Sequence, residues 1–281
     1  MSIKVAVVGA SGRMGRLVCR IVDETPGFEL MVGIGSQGEL SQMIGADLVV
    51  DVTIPAVSRT VVDSALENGI PVLVGTSGWS SDRLGAHERR LALSPELGVV
   101  VIPNFSVGSV LATSFAAMAA RFFDSIEIVE AHHSTKIDSP SGTAVRTAEL
   151  ITAARAELGP VAAPHIDQRA RGQQVASVPI HSLRLQGVVA KQEVLLGSTG
   201  EVLTISHETI DQSAYEAGIV IALRAAVTTR GLVVGLDRLI DLGLPGGPLT
   251  ADASTRVAPG STPDAPENVS GQAATATSVT P

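Results

Sequence analysis

The hydrophobic pattern of the first hundred residues alternates between short apolar runs and longer segments with helical periodicity. Five runs have the length and continuity of strands that are buried on both faces: 3–8, 28–32, 48–52, 72–75 and 99–102. Helical periodicity fills the intervals, most clearly at 57–67 and 81–93. This alternation predicts an α/β fold in the form of a doubly wound Rossmann-type parallel sheet.

The pattern changes after a helical segment at 107–122. Four further runs read as strands: 125–132, 179–185, 188–196 and 201–207. The Gln186-Gly187 pair and the segment 197–200 carry turn residues and predict hairpins between the last three strands. We therefore expect a second α+β domain built on a mostly antiparallel four-stranded sheet. A helix at 211–228 and a short element at 232–242 are expected to return to the first domain.

These elements predict a dinucleotide-binding domain at 1–104 and a substrate-binding and oligomerisation domain at 105–210. A C-terminal segment at 211–243 returns to the dinucleotide-binding domain. Beyond it, Pro, Gly, Ser, Thr, Ala and Asp dominate without periodicity, which predicts a disordered tail at 244–281.

The first predicted strand leads directly into a glycine-rich turn and then into a helical pattern. The turn reads Gly9, Ala10, Ser11, Gly12, Arg13, Met14 and Gly15. Strand, turn and helix in this order are the context in which such glycines indicate a dinucleotide site. Gly9 permits a tight turn, Gly12 lets the backbone approach a pyrophosphate, and Gly15 lets helix and strand pack closely. Arg13 is free to approach a phosphate. The alternative is an ordinary glycine-rich turn between a strand and a helix.

Other strand ends carry residues suited to the rest of a dinucleotide. Gly75, Thr76 and Ser77 would approach the nicotinamide side, and Asn104 could bond a carboxamide. The segment 33–38, after the second strand, contains neither an acidic residue for the NAD ribose nor an arginine for the NADP phosphate. We therefore expect use of both NADH and NADPH with weak preference.

A second concentration of functional groups lies at 130–144. His132 and His133 titrate near neutrality, and Lys136 adds a mobile positive charge. Ser141, Gly142 and Thr143 would open a helix with unpaired backbone N–H groups at the positive end of its dipole. Such a group of residues suits a small carboxylated substrate that must be held and protonated.

The histidines also allow other interpretations. Adjacent strand residues point to opposite faces, so at most one of His132 and His133 faces a ligand unless the strand bends. Both could merely cap the edge of a sheet. A zinc pair is less favoured because no third ligand stands out, so no metal is predicted. His165, His181 and His207 lack such neighbours and are expected to be surface or core residues.

Composition excludes several classes of protein. With 281 residues, 45% of them hydrophobic, the chain can form two modest domains with real cores. A net charge of −8 without a basic cluster argues against a nucleic-acid partner. The sequence contains no run of about eighteen apolar residues, so no membrane span is predicted. The single Cys19 cannot form an internal disulfide and suits a reducing compartment, so we expect a cytoplasmic protein.

The sequence resembles the 4-hydroxy-tetrahydrodipicolinate reductase family, also called dihydrodipicolinate reductases, of the diaminopimelate route to lysine. The resemblance runs from residue 3 to about residue 242. It rests on four segments: 9–15, 74–78, 104–108 and 130–144. The last segment is the most specific part of the resemblance, because we know the pattern His-His-x-x-Lys-x-Asp-x-Pro-Ser-Gly-Thr from no other family.

The resemblance implies a function and a role for each matching residue. The substrate would be a cyclic imine with two carboxylates, reduced by NADPH or NADH with loss of water. His132 would be a proton donor or acceptor, His133 a substrate contact and Lys136 the proton donor, while Gly142 and Thr143 would bind a substrate carboxylate. The implied cofactor residues are Gly9, Ala10, Ser11, Gly12, Arg13, Met14, Gly75, Thr76, Ser77, Ile102, Pro103, Asn104 and Phe105. A homotetramer assembled through the sheets of the second domain is also implied.

The residues taken alone agree with this chemistry. Two carboxylates call for paired electropositive groups, and a carbanion-like carbon formed on reduction needs a nearby imidazolium or ammonium as proton source. Neither a metal nor a protein nucleophile is required. Two alternatives stay open at this point. One is a reductase of another small carboxylated imine or keto acid on the same scaffold, and the other is a nucleotide-sensing module without catalysis.

Overall fold

Six parallel strands form the first sheet of the computed structural model, which describes residues 2–79, 81–165 and 167–241. In chain order the strands are β1 Ile3–Val8, β2 Phe28–Ile34, β3 Leu48–Asp51, β4 Val72–Val74, β5 Gly98–Val101 and β11 Gly231–Val234. Their order across the sheet is β11-β5-β4-β3-β1-β2. The five predicted strands are confirmed, and the short element expected at 232–242 contributes the sixth.

Helices cover both faces of this sheet, as the doubly wound prediction requires. The helices are α1 Arg13–Glu24, α2 Pro55–Glu67, α3 Ser81–Leu91 and α6 Glu216–Thr228. Val5 and Val7 of β1 belong to a buried cluster with α1 and α6, whereas Ala6 and Val8 belong to a second cluster with α2 and α3. Alternate residues of one strand therefore enter two cores, which explains why the strands read as continuous apolar runs.

The second sheet is mixed and has five strands. They are β6 Ser125–His133, β7 Gln173–Val175, β8 Val178–Leu185, β9 Ala190–Ser198 and β10 Glu201–Thr209, in the order β10-β9-β6-β8-β7. Three of the four pairings are antiparallel, and β6 pairs with β8 in parallel. The mostly antiparallel character is confirmed. The fifth strand, β7, was not predicted because its three residues include two glutamines and offer no apolar alternation.

One predicted hairpin is wrong. β9 and β10 form a hairpin, but Gln186-Gly187 does not join two paired strands, because β6 lies between β8 and β9. Ile128 of β6 pairs with Ile180 on one side and Val194 on the other, and all three side chains are buried. The strand that carries the most buried residues thus takes the centre of the sheet, and the neighbour in sequence is displaced.

Two helices, α4 Val107–Ala119 and α5 Gly142–Ala154, cover one face of the second sheet. The core between them contains Ile128 and Ile151, both fully buried. All the described residues belong to one compact unit. The tail predicted at 244–281 lies outside the described residues. Within the described chain, no helix is both long enough and apolar enough to cross a membrane.

Candidate active site

A cavity of about 410 Å³ lies where the carboxyl ends of β1, β4 and β5 meet the end of β6. Ten of the residues predicted from the sequence line it: Arg13, Met14, Gly75, Pro103, Asn104, Phe105, His132, His133, Lys136 and Thr143. The two concentrations of functional groups in the sequence, one in the first sheet and one in the second, therefore open on the same space.

Eight other predicted residues do not line this cavity: Gly9, Ala10, Ser11, Gly12, Thr76, Ser77, Ile102 and Gly142. The first four form the turn before α1, and Ser77 is exposed. Ile102 is fully buried, and its N–H donates to the carbonyl of Val74, so a ligand could meet only its backbone. Gly142 lies on an adjoining cavity of about 70 Å³ that Asn104 and Thr143 also line.

The glycine-rich turn has the geometry of a phosphate cradle. Gly9 has φ +93°, and a Cβ there would lie 2.5 Å from the carbonyl oxygen of Val52. A Cβ on Gly15 would lie 2.0 Å from the carbonyl oxygen of Gly9, so α1 packs directly on the turn. Gly12 caps α1 without a side-chain acceptor, which leaves helix N–H groups for an anion beside the exposed Arg13. These residues fit a dinucleotide pyrophosphate.

His132 is held by a buried carboxylate on its own strand. Glu130 and His132 are two positions apart on β6, so both side chains lie on the same face. The Nδ1 atom of His132 lies 2.6 Å from Oε2 of Glu130. An ionised carboxylate only accepts hydrogen bonds, so Nδ1 carries the hydrogen and Nε2 is the ring nitrogen left to the cavity.

Arg184 of β8 keeps Glu130 charged inside the protein. Its two terminal nitrogens donate to the two carboxylate oxygens at 3.0 and 2.9 Å. Burial by itself would raise the pKa of the Glu130 carboxyl, but hydrogen bonds from neighbouring side chains, led by His132 and Arg184, outweigh it and lower the pKa to about 2. Glu130 is therefore an anion throughout the physiological pH range.

The start of α5 lies at the turn for which the sequence predicts anion binding. The Oγ of Ser141 accepts from the N–H of Ala144 at 3.2 Å, which caps the helix and leaves the N–H groups of Gly142 and Thr143 without a side-chain acceptor. The Nδ2 atom of Asn104 donates to Oγ1 of Thr143 at 3.3 Å. This bond connects the end of β5, predicted to bind the nicotinamide carboxamide, with the turn predicted to bind the substrate.

Lys136 and His133 are two other predicted polar residues that line the cavity beside His132. The ammonium of Lys136 lies 2.7 Å from Oδ1 of Asp138. Partial burial would raise the pKa of the Asp138 carboxyl, but this ammonium outweighs it and lowers the pKa. The Nδ1 atom of His133 lies 2.8 Å from Oγ1 of Thr135. Both histidines line the cavity because His133 is the last residue of β6, past the end of its pairing with β9.

The two halves of the chain match one family. Residues 3–105 match the family described as dihydrodipicolinate reductase, N-terminus, and residues 108–240 match the family described as dihydrodipicolinate reductase, C-terminus. The chain belongs to the dihydrodipicolinate reductase family. A 4-hydroxy-tetrahydrodipicolinate reductase from Clavibacter sepedonicus is 63% identical over 278 residues, covering 99% of this chain and 100% of that protein. A protein of the same name from Streptomyces griseus is 45% identical over 246 residues, covering 85% and 98%.

Solved structures agree with this family and its fold. A dipicolinate-bound dihydrodipicolinate reductase from Paenisporosarcina sp. TG-14 superposes with a TM-score of 0.72 at 29% identity, covering 85% of this chain and 100% of that chain. A myo-inositol dehydrogenase from Corynebacterium glutamicum superposes with a TM-score of 0.55 at 12% identity, covering 82% and 90%, and shares the fold alone.

Ten residues of this reductase cavity were not predicted from the sequence: Ser109, Ser141, Val189, Ala190, Lys191, Gln192, His207, Thr209, Gln212 and Tyr215. Most lie near the start of β9, at the end of β10 or just after it. β9 pairs with β6 and β10 pairs with β9, which brings these segments to the cavity. Ser141 alone had a local signal, because the sequence placed it with Gly142 and Thr143 at the start of a helix.

The expectation for His207 is wrong in one respect. Its ring is neither free surface nor sealed core, because it lines the cavity with Nε2 3.2 Å from Oγ of Ser106, the cap of α4. Burial lowers the pKa of His207, so the ring is neutral near pH 7. His181 instead pairs with Glu127, and His165 is exposed. Among the residues that the structure describes, no group of three His, Cys, Asp or Glu side chains is placed to hold a metal ion.

Proposed function

We propose that this chain reduces (2S,4S)-4-hydroxy-tetrahydrodipicolinate to tetrahydrodipicolinate with NAD(P)H and loss of water, in diaminopimelate and lysine biosynthesis. One observation carries the proposal: Arg13 of the phosphate turn and the His132–Lys136 pair line the same cavity. A nucleotide and a small anion would meet there. The names of the relatives that cover nearly the whole chain support the same reaction.

The cofactor would lie along the carboxyl ends of the first sheet. The turn at 9–15 would hold its pyrophosphate, and Gly75, Thr76, Ser77 and the segment 102–105 would border its nicotinamide. A Cβ on Gly75 would lie 2.6 Å from the ring of Phe105, so this strand end has no room for a larger residue. When bound, the nicotinamide supplies the hydride. No acidic or arginine side chain occurs in 33–38, which supports use of both NADPH and NADH.

The substrate's carboxylates would be held by charge and by backbone donors. The N–H groups of Gly142 and Thr143 open α5 at the positive end of its dipole and suit one carboxylate. His133 and the Lys136 ammonium suit the other anionic or polar groups of the substrate. Thr143 adds a hydroxyl that Asn104 already orients from the cofactor side.

Two proton-transfer groups match the demands of the reaction. Loss of water removes a C–H proton and protonates the leaving hydroxyl, and reduction leaves a carbanion-like enamine carbon that takes one more proton. We assign His132 as a donor or acceptor, through the Nε2 atom that its bond to Glu130 leaves available. We assign Lys136 as the proton donor to carbon, because an ammonium can both stabilise and protonate the developing anion.

Assaying the purified chain with freshly generated dihydrodipicolinate substrate and NADPH tests the function. Cofactor oxidation that depends on this substrate is expected. Turnover only with another cyclic imine or keto acid would favour a different substrate on the same scaffold. Nucleotide binding without turnover on any of them would favour a sensing module.

We also propose a homotetramer assembled through the open face of the second sheet, opposite α4 and α5. By register, Leu183, Leu185 and Val202 lie on this face, and their exposed fractions are 44%, 49% and 69%. Exposed apolar residues in one sheet face favour self-association. Light scattering on the purified chain should give four times the monomer mass.

We place this enzyme in the cytoplasm, a location that a single cysteine and a biosynthetic role support. For its domains we retain the limits 1–104, 105–210 and 211–243. The family matches at 3–105 and 108–240 support the first boundary.

A further inference from the structure

We propose that Glu130 is a positioning residue that fixes the ring of His132 and ties it to the substrate-binding turn at the start of α5. The inference rests on the proposed function, because it gives His132 a partner in that reaction. Glu130 does not line the cavity and would touch neither substrate nor cofactor.

The burial of Glu130 first indicates a specific role. Its side chain is 0% exposed, at a position of β6 where the preceding inward-facing residues, Ile126 and Ile128, are apolar. A buried carboxylate is costly unless charge and hydrogen bonds compensate it. Arg184 provides both through its paired N–H groups. An apolar residue here would avoid this requirement, so the carboxylate needs an explanation other than stability.

The bond to His132 gives that explanation. At 2.6 Å from Nδ1, the carboxylate holds the hydrogen on that nitrogen and sets the orientation of the ring. A ring that turned about its bonds, or moved its hydrogen to Nε2, would lose this contact. Glu130 therefore determines which ring nitrogen of His132 faces the cavity and whether that nitrogen carries a hydrogen in the neutral ring.

The same carboxylate also reaches the turn that binds the substrate. Oε1 of Glu130 accepts from the backbone N–H of Ser141 at 3.2 Å, and Ser141 is the cap of α5. Arg184 adds a second link, because its Nη2 donates to the carbonyl oxygen of Asp138 at 2.6 Å. The buried carboxylate of Glu130 thus contacts both the ring of His132 and the turn whose amides are proposed to bind the substrate carboxylate.

The strand provides its own control. Glu127, on the opposite face of β6, also accepts from a histidine and an arginine, His181 and Arg171. None of these three residues lines the cavity, and the Glu127 side chain is 31% exposed. The Glu127 cluster therefore reproduces the chemistry of the Glu130 cluster without its connection to the proposed site.

Glu130→Gln and Glu127→Gln form the test pair. Arg184 donates to both carboxylate oxygens, so the amide NH₂ of glutamine faces the guanidinium in either orientation, together with either the N–H of Ser141 or the Nδ1–H of His132. We expect Glu130→Gln to lower kcat by roughly 10² or more, since a histidine in the wrong tautomer can cost a catalytic site on the order of 10⁴. The dissociation constant for NADPH should change less than about twofold. Glu127→Gln should change neither quantity, and light scattering checks that it keeps the wild-type assembly, because Glu127 lies on the open face of the second sheet.

A second measurement keeps the test independent of folding and of the reaction. ¹⁵N NMR of the histidines in the wild-type protein, with His132 assigned by His132→Asn, should show the hydrogen on Nδ1 and none on Nε2 in the neutral ring, and one hydrogen on each nitrogen at low pH. A wild-type His132 with hydrogen on Nε2 alone would overturn the proposal, as would a folded Glu130→Gln with near-normal kcat. Absence of turnover in the wild-type enzyme would refute the proposed function instead, and the NMR result would still decide the role of Glu130.

Discussion

Replacing Lys136 with alanine removes the ammonium that we assign as proton donor. The structure indicates that this change costs little stability, because the partner carboxylate of Asp138 is 59% exposed. Pairs of this kind contribute roughly 0–1 kcal/mol. Loss of a general acid typically lowers turnover by about 10²–10⁴, which corresponds to roughly 3–5 kcal/mol of transition-state stabilisation. The effect on catalysis should therefore greatly exceed the effect on folding.

The assay combines steady-state kinetics with thermal unfolding and NADPH titration. Lys136→Ala should lower kcat within that range, keep the cofactor dissociation constant and leave the melting temperature almost unchanged. Lys136→Arg should rescue little, because a guanidinium holds its proton more tightly and has a different shape. Asp138→Asn is the matched control: it removes the ion-pair partner but keeps the ammonium, so its loss of kcat should be far smaller.

Near-normal turnover in Lys136→Ala would refute this assignment. The proton donor would then be sought first at His132, which lines the same cavity and is also assigned a proton-transfer role. A large loss shared equally by Asp138→Asn would also contradict it, because the requirement would then be the ordered turn rather than the ammonium.

Three further predictions follow from individual contacts. Thr143→Ala should mainly raise the substrate KM in steady-state kinetics, by removing a donor used in ground and transition states alike. Gly35→Asp should shift the kcat/KM ratio toward NADH, since a Cβ there would lie 3.5 Å from Oγ of Ser11 and a carboxylate beside the phosphate turn would repel a 2′-phosphate. The pKa of Glu130 falls from 4.5 to about 2 on folding, so the ionised carboxylate stabilises the folded state by about 3 kcal/mol relative to the protonated carboxyl. This stabilisation is present above pH 4.5 and is lost as the pH falls toward 2. Urea unfolding at pH 7 and pH 3 should show a loss of stability that is larger in the wild type than in Glu130→Gln by about 2 kcal/mol, because at pH 3 the carboxyl is protonated in the unfolded state and still mostly ionised in the folded state.

Local signals made much of the fold and of the site predictable. The glycines of the phosphate turn and the helix start at Gly142 each depend on a few consecutive residues, and the structure places both where the sequence indicated. The continuous apolar strands of the first sheet were equally clear, because helices bury both of their faces.

What escaped prediction depends on residues that are distant in the chain. The place of β6 between β8 and β9 follows from competition among strands for the centre of the sheet, and no turn signal reports that competition. His207 reaches the cavity only because β10 pairs with β9, which in turn pairs with β6. The contacts of Glu130 escaped prediction for a related reason: its partner Arg184 belongs to another strand.

The strand β11 has a consequence for how this protein can be made and divided. It is the last strand of the described residues, yet it covers the edge of β5, with Leu232 beside Val99 and Val234 beside Val101. Helix α6, just before it, adds Ile219 and Leu223 to the core of the same sheet. During synthesis, the edge of β5 therefore stays unpaired until the whole second sheet and β11 have left the ribosome. A fragment cut after the fifth strand would keep that edge exposed, which favours aggregation over folding.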